Sequence, residues 1–124
     1  MLTFTPLERS VLDAICTAER ATSPTLSEVL STALVTSRDN TGHGFYTAFQ
    51  TTARAAKDTP WIHMIDGPFV HMLDMGDDAL MGFILWCSDD GPTTLEGYQL
   101  GDPAGNTVDL KTTDLSKLQF IKFE

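Results

Sequence analysis

Between Asp58 and Leu110 the chain has no lysine and no arginine. The same stretch holds ten carboxylates: Asp58, Asp66, Asp74, Asp77, Asp78, Asp89, Asp90, Glu96, Asp102 and Asp109. All eight basic residues lie outside it together with the other seven acids, so nearly the whole formal charge of −9 belongs to one continuous segment. A surface of that sign repels nucleic acid and anionic membrane, and attracts a basic partner or a cation. Cysteine is scarce too. Cys16 falls in an amphipathic helical pattern and Cys87 at the end of an apolar run, so the two read as buried free thiols rather than a disulfide framework. The longest apolar run, Ala79 to Cys87, is well short of the roughly 20 residues that span a bilayer. The first residues lack the basic region of a secretory signal. A cytoplasmic protein with no membrane contact is expected. No nucleophile elbow, P-loop, dinucleotide fingerprint, H-E-x-x-H or C-x-x-C pattern occurs, so no catalytic residue is assigned.

What is present fits one globular domain spanning 1–124, with 42% apolar and 20% charged residues. Thr5 can cap a helix whose first position is Pro6, and Glu8 completes a capping box. Leu7, Val11, Leu12, Ile15 and Ala18 form its apolar stripe, with Glu8, Arg9, Asp13, Glu19 and Arg20 assigned mostly to the opposite face. Ser23-Pro24 opens a second helix over 24–33, which makes a helical hairpin. The period then becomes alternating. Strands are expected over 34–38, over 44–51 with Phe45, Thr47 and Phe49 on one side, in the apolar segments 61–65 and 69–73, over 79–87 and 93–100, and near 118–123. Asp39-Asn40-Thr41-Gly42, Asp66-Gly67-Pro68 and Asp89-Asp90-Gly91-Pro92 have turn chemistry. The expected fold is α+β: an N-terminal helical hairpin, then an antiparallel β meander of about five to six strands, with the helices packed on one sheet face.

Nine of the ten acids in the basic-free stretch are Asp, and six sit in or beside turns, where a short carboxylate caps backbone N–H groups. Turn formation thus accounts for many of them. It does not account for the missing Lys and Arg. Asp77-Asp78 and Asp89-Asp90 flank one expected strand and belong at its opposite ends, which favours a broad anionic face over a compact metal site. Neither pair has EF-hand spacing, and no metal or cofactor is expected. Imitation of nucleic-acid phosphates would need the acids aligned on one surface. The segments Trp61-Ile62-His63-Met64-Ile65-Asp66 and Phe69-Val70-His71-Met72-Leu73-Asp74 repeat one pattern. A three-residue hairpin loop between them would set His63 opposite His71, whereas a two-residue loop would separate them, and two ligands alone do not make a site.

Along 80–87 the residues are apolar on both sides, with Leu80, Gly82, Ile84 and Trp86 facing one way and Met81, Phe83, Leu85 and Cys87 the other. A strand of that kind is central and covered on both faces. With only two helices available, the second face calls for a large loop or another protomer, so a homodimer is an expectation. Trp86, Tyr98, Phe45 and Tyr46 could line a groove, although core packing is the expected role for most of them. The run Ser37-Arg38-Asp39-Asn40-Thr41-Gly42-His43-Gly44-Phe45-Tyr46-Thr47 resembles an S-R-x-x-T-G-x-G-F-[FY]-T segment. Gly82-Phe83-Ile84-Leu85-Trp86, with Asp90-Gly91 and Leu95-Glu96-Gly97-Tyr98, resembles G-F-x-L-[FW]…D-G…L-E-G-[YF]. Together they are similar to a group of small bacterial proteins without an assigned activity, over about residues 34–100. The resemblance implies a compact bacterial domain and transfers no catalytic residue. The leading expectation is a non-enzymatic binding or regulatory domain whose acidic surface, including Asp77, Asp78, Asp89 and Asp90, meets a basic protein partner. The alternative is a small-molecule or metal-dependent enzyme with a pocket around Arg38, His43, Tyr46 and Glu96.

Overall fold

The structure is a computed structural model that describes residues 3–20, 25–41, 44–52, 61–73, 80–100 and 120–123. The first helix, α1 (Pro6–Ala18), begins as its sequence dictates. Thr5 is the N-cap: its side chain accepts from the Glu8 N–H at 3.2 Å, and the Glu8 carboxylate accepts from the Thr5 N–H at 2.8 Å. Leu7, Val11, Leu12 and Ile15 are all buried, each worth about 2 kcal/mol of apolar burial. The second helix, α2 (Leu26–Leu30), is a single short turn and a half that buries Leu26 and Val29. It is shorter than the expected 24–33, because Thr32 and Ala33 N–H groups already close tighter turns onto Val29 and Leu30. Residues 21–24, where the hairpin connection was expected, lie outside the described set.

Seven strands form one antiparallel sheet: β1 (Leu34–Asn40), β2 (Gly44–Gln50), β3 (Met64–Asp66), β4 (Phe69–Met72), β5 (Leu80–Ser88), β6 (Gly91–Leu100) and β7 (Phe120–Phe123). Their spatial order is β1-β2-β6-β5-β4-β7, with β3 also paired to β5. The α+β class, the helix-first order and the antiparallel pairing agree with expectation. The simple meander does not hold, since β2 lies against β6 and not against its successor in the chain. Long, two-sidedly apolar β5 is the physical reason: it takes β6 on one edge and both β3 and β4 on the other.

β3 and β4 therefore run end to end along β5. Met64 pairs with Trp86 and Ile65 with Leu85, whereas Val70 pairs with Met81 and His71 with Leu80. The pairing sum rises by one between the two sets, so an extra residue is accommodated around Gly67-Pro68, a bulge where a ladder can tolerate proline. Gly67 N–H still donates to the Phe83 carbonyl at 2.7 Å. Asp66-Gly67-Pro68 is thus a kink in one edge rather than a hairpin loop. At the other end of β5, Gly91 (φ 127°) closes the turn to β6 in the left-handed region, where side chains are strained.

The core lies between α1 and one sheet face, and contains Phe45, Phe49, Ile65, Val70, Met72, Met81, Phe83, Leu85 and Leu95. Phe45 and Phe83 meet edge to face at 6.0 Å, and Phe4 meets Phe49 at 5.3 Å. One fully buried group in this region is charged. Glu8 was placed on the polar side of the helix by its spacing, yet it has no exposed surface. Its carboxylate accepts from Arg38 Nη2 at 2.7 Å and Nε at 3.1 Å, from the Thr5 N–H, and from the Thr47 hydroxyl. Arg38 also donates to the Thr3 carbonyl at 3.2 Å. Removing one partner of a buried, hydrogen-bonded pair costs about 3–5 kcal/mol. Because Arg38 keeps 20% of its side-chain exposure, Glu8→Ala is expected to cost about 3 kcal/mol, the low end of that range. Urea unfolding read by circular dichroism measures it, and a loss below about 1 kcal/mol, the value of a lost cap alone, would show the pair to be unimportant.

Candidate functional site

Alternation along the strands divides the sheet into a side facing α1 and an outer side. Phe45, Thr47 and Phe49 of β2 are buried on the helix side, so Tyr46, Ala48 and Gln50 turn outward. Tyr46 pairs with Glu96 of β6, and Glu96 pairs with Ile84 of β5. Directly paired residues have β-carbons about 4.5–5.5 Å apart. One diagonal step away, Trp86 Nε1 donates to Glu96 Oε1 at 2.9 Å. Tyr98, two residues along β6, lies over Gly82 of β5, where an added methyl group would collide with the Tyr98 ring. The missing side chain at Gly82 is what lets the phenol lie down on the sheet.

The outer side is unusually apolar for an exposed surface. Tyr46 is 42% exposed, Trp86 37%, Met64 48%, Phe69 50% and Ile121 53%. Phe45 is core, as expected, but Tyr46 and Trp86 are not core residues: the strand pleat carries both away from the helices. Among the described residues, the permanently charged side chains at outward strand positions are all acidic. Asp39, paired with Tyr46, Asp66, paired with Ile84, and Glu96 hold those positions. The two basic residues on the described strands are both on the helix side. Arg38 is held by Glu8, and Lys122 Nζ donates to the Ser10 carbonyl of α1 at 3.3 Å.

These placements separate the residues that the sequence singled out. Tyr46 and Glu96 are neighbours on the outer side, whereas Arg38 faces the opposite way and is already committed to Glu8. His43, Asp77 and Asp78 lie outside the described residues. Asp89 and Asp90 form the exposed turn after β5, where Asp90 N–H donates to Ser88 Oγ at 3.2 Å. Asp89 Oδ1 lies 3.0 Å from His63 Nε2, both side chains being largely exposed. His63 is thus beside the β5–β6 turn, while His71 pairs with Leu80 at the far end of β5, about 20 Å away at the rise of an extended strand. They do not face each other. Among the described residues no group of three or more His, Cys, Asp or Glu side chains is gathered as for a metal ion.

Trp86 and its bond to Glu96 were not foreseen, although the sequence held a signal. Trp86 and Glu96 both belong to the alternating set that excludes the buried Leu85, Cys87 and Leu95, so period-two patterning alone puts them on one face. A half-open cleft of ≈ 630 Å³ lies where α1 meets the β3–β4 kink, with Ile15 and Pro68 among its walls and Asp13, Asp66 and Lys122 lining it. None of the candidate binding residues lines it, although the Asp66-Gly67-Pro68 segment does. Comparison of the chain with protein-family models, curated proteins and solved structures finds no match.

The cysteines are both free. Burial pushes the Cys87 thiol up from 9.0 to about 11, and burial with the nearby Asp13 carboxylate also raises Cys16. Raised thiols are poor nucleophiles at neutral pH. Because the folded thiol holds its proton more tightly than the unfolded one, its contribution to stability is complete below pH 9 and is lost as pH rises towards 11. Stability is expected to fall by about 2 kcal/mol across that window, and Cys87→Ala should flatten the fall. Urea midpoints at stepped pH measure this. An equal slope in the variant would remove Cys87 as the cause.

Proposed function

We propose that this domain is a non-enzymatic binding or regulatory module that recognises a basic protein partner through its acidic outer sheet side and the adjoining turns. The observation that carries the reading is the segregation of charge and apolar surface. Exposed aromatic and aliphatic side chains occupy the outer side with Asp39 and Glu96, while the basic residues of the described strands are tied down on the helix side. An exposed apolar patch with carboxylates at its centre and edge matches a partner that presents both apolar and cationic side chains. It repels nucleic acid. Two copies of the chain packed through this side would bring together like-charged outward positions, with no Lys or Arg among the described residues of that side to balance them, which is why a basic partner is preferred here to a homodimer.

The acidic rim should act chiefly on the rate of encounter, because long-range attraction is screened by salt. With the purified chain immobilised, proteins captured from a native-host extract at low salt should be basic and should elute as salt is raised. Association of the captured partner with the fourfold variant Asp77→Asn, Asp78→Asn, Asp89→Asn and Asp90→Asn should slow by about tenfold or more. Unchanged, salt-insensitive association of that variant would overturn the acidic-surface reading.

A further inference from the structure

The centre of the outer side has the composition of a site for one planar cation. Glu96 stands between Tyr46 on β2 and Ile84 on β5, with Tyr98 further along its own strand. Trp86 Nε1 holds Oε1 of the carboxylate at 2.9 Å. That bond fixes the rotamer of Glu96 and uses one of its acceptor positions, leaving Oε2 and the remaining lone pairs for another donor. Tyr46 and Trp86 keep roughly two-fifths of their surface exposed beside it. A carboxylate oriented by a neighbouring indole and beside exposed aromatic side chains offers what a guanidinium group requires: acceptors for its planar fork, and π-systems next to it. Among the described residues nothing of this chain's own supplies the cation, since Arg38 and Lys122 are engaged on the other side of the sheet.

We infer that Glu96, oriented by Trp86 and flanked by Tyr46, receives an arginine side chain of a protein partner. The inference rests on the reading of the domain as a binding module for a basic partner, and names the residue by which that partner is held. Arginine is favoured over lysine because the ammonium is a more strongly hydrated point charge, cannot present a planar fork to the carboxylate and stacks less well on the rings. Apolar neighbours of the arginine would rest on Ile84 and Met64.

The test uses the full chain, labelled with nitrogen-15, and a capped Leu-Arg-Leu peptide as probe. The indole N–H of Trp86 is the reporter, and that of Trp61, partly buried against the core, is the internal control. Saturable movement of the Trp86 signal is expected, with the Trp61 signal still. Glu96→Gln retains an acceptor for the indole and should fold normally, yet weaken binding about tenfold or more, as loss of a charged hydrogen-bond acceptor does. Tyr46→Ala should also weaken it. The lysine peptide should bind less tightly than the arginine peptide, and the isosteric but neutral citrulline peptide should not bind. Equal binding of the arginine and citrulline peptides, or equal binding by wild type and Glu96→Gln, would overturn the inference. So would movement of the Trp86 signal with protein concentration alone, which would make a second copy the occupant. The two levels fail separately: a captured basic partner that still depends on Asp89 and Asp90 but is indifferent to Glu96→Gln removes the arginine site and leaves the binding-module reading standing.

Discussion

The Glu8 carboxylate has no contact with water and accepts from four donors, contributed by the helix cap, by β1 and by β2. A buried carboxylate is tolerable only when its lone pairs are occupied and its charge is balanced, and here each requirement is met by a different part of the chain. Thr5 supplies the backbone N–H, which is available because α1 starts there. Arg38 supplies the charge, which is available because β1 runs alongside β2 with Arg38 paired to Thr47. If α1 slid by one turn along the sheet, the carboxylate would lose Arg38 and Thr47 together. The interaction thus fixes the register of the helix against the sheet more sharply than apolar packing alone, which tolerates adjustment.

That register has a consequence on the far side of the sheet. With Arg38 turned inward to Glu8, the pleat turns Asp39 outward beside Tyr46, so one buried ion pair removes a cation from the outer side and leaves an anion in its place. On the opposite flank Lys122 is also on the helix side, where it reaches the Ser10 carbonyl of α1. The helix side of the sheet consumes positive charge. Among the described residues, the outer side is left with Asp39, Asp66 and Glu96 among aromatic and aliphatic groups, and Glu96 is steadied by an indole rather than by a cation.

Local features were legible in the sequence where the physics is local. The Thr5-Pro6-Glu8 start of α1, the buried set of β2 and the central place of β5 follow from capping chemistry and from alternation, and all three are present, although the outer face of β5 is not covered as expected and leaves Trp86 exposed. Long-range choices were not legible. Glu8 reads as a surface residue by its spacing because its partner is thirty positions away. The repeated His-Met segments invite pairing with each other, yet both pair with β5, whose nine residues offer more apolar edge than either short segment can offer the other. Tyr46 and Trp86 read as core because aromatic residues bury well, but in an alternating strand the neighbour of a buried Phe45 or Cys87 must face the other way. Of the residues grouped with Glu96 in the sequence, Tyr46 meets it and Arg38 does not: the two belong to adjacent strands, and only the pleat decides between them.

The absence of Lys and Arg from 58–110 takes on a geometric meaning in this light. β3, β4, β5 and β6 all lie inside that stretch, so the four strands at the middle of the sheet, including the position opposite each exposed aromatic of β5 and β6, were built without a single permanent cation. The flanking strands β1 and β7 carry one each and hold it on the helix side. A lysine at an outward position near Glu96 would form an ordinary surface ion pair, worth little to stability, and would occupy the carboxylate that an arginine from another protein could otherwise reach. Turn formation explains why the stretch is rich in aspartate. It leaves unexplained why no cation stands on its strands, whereas a face kept open for a cation from outside accounts for that gap directly.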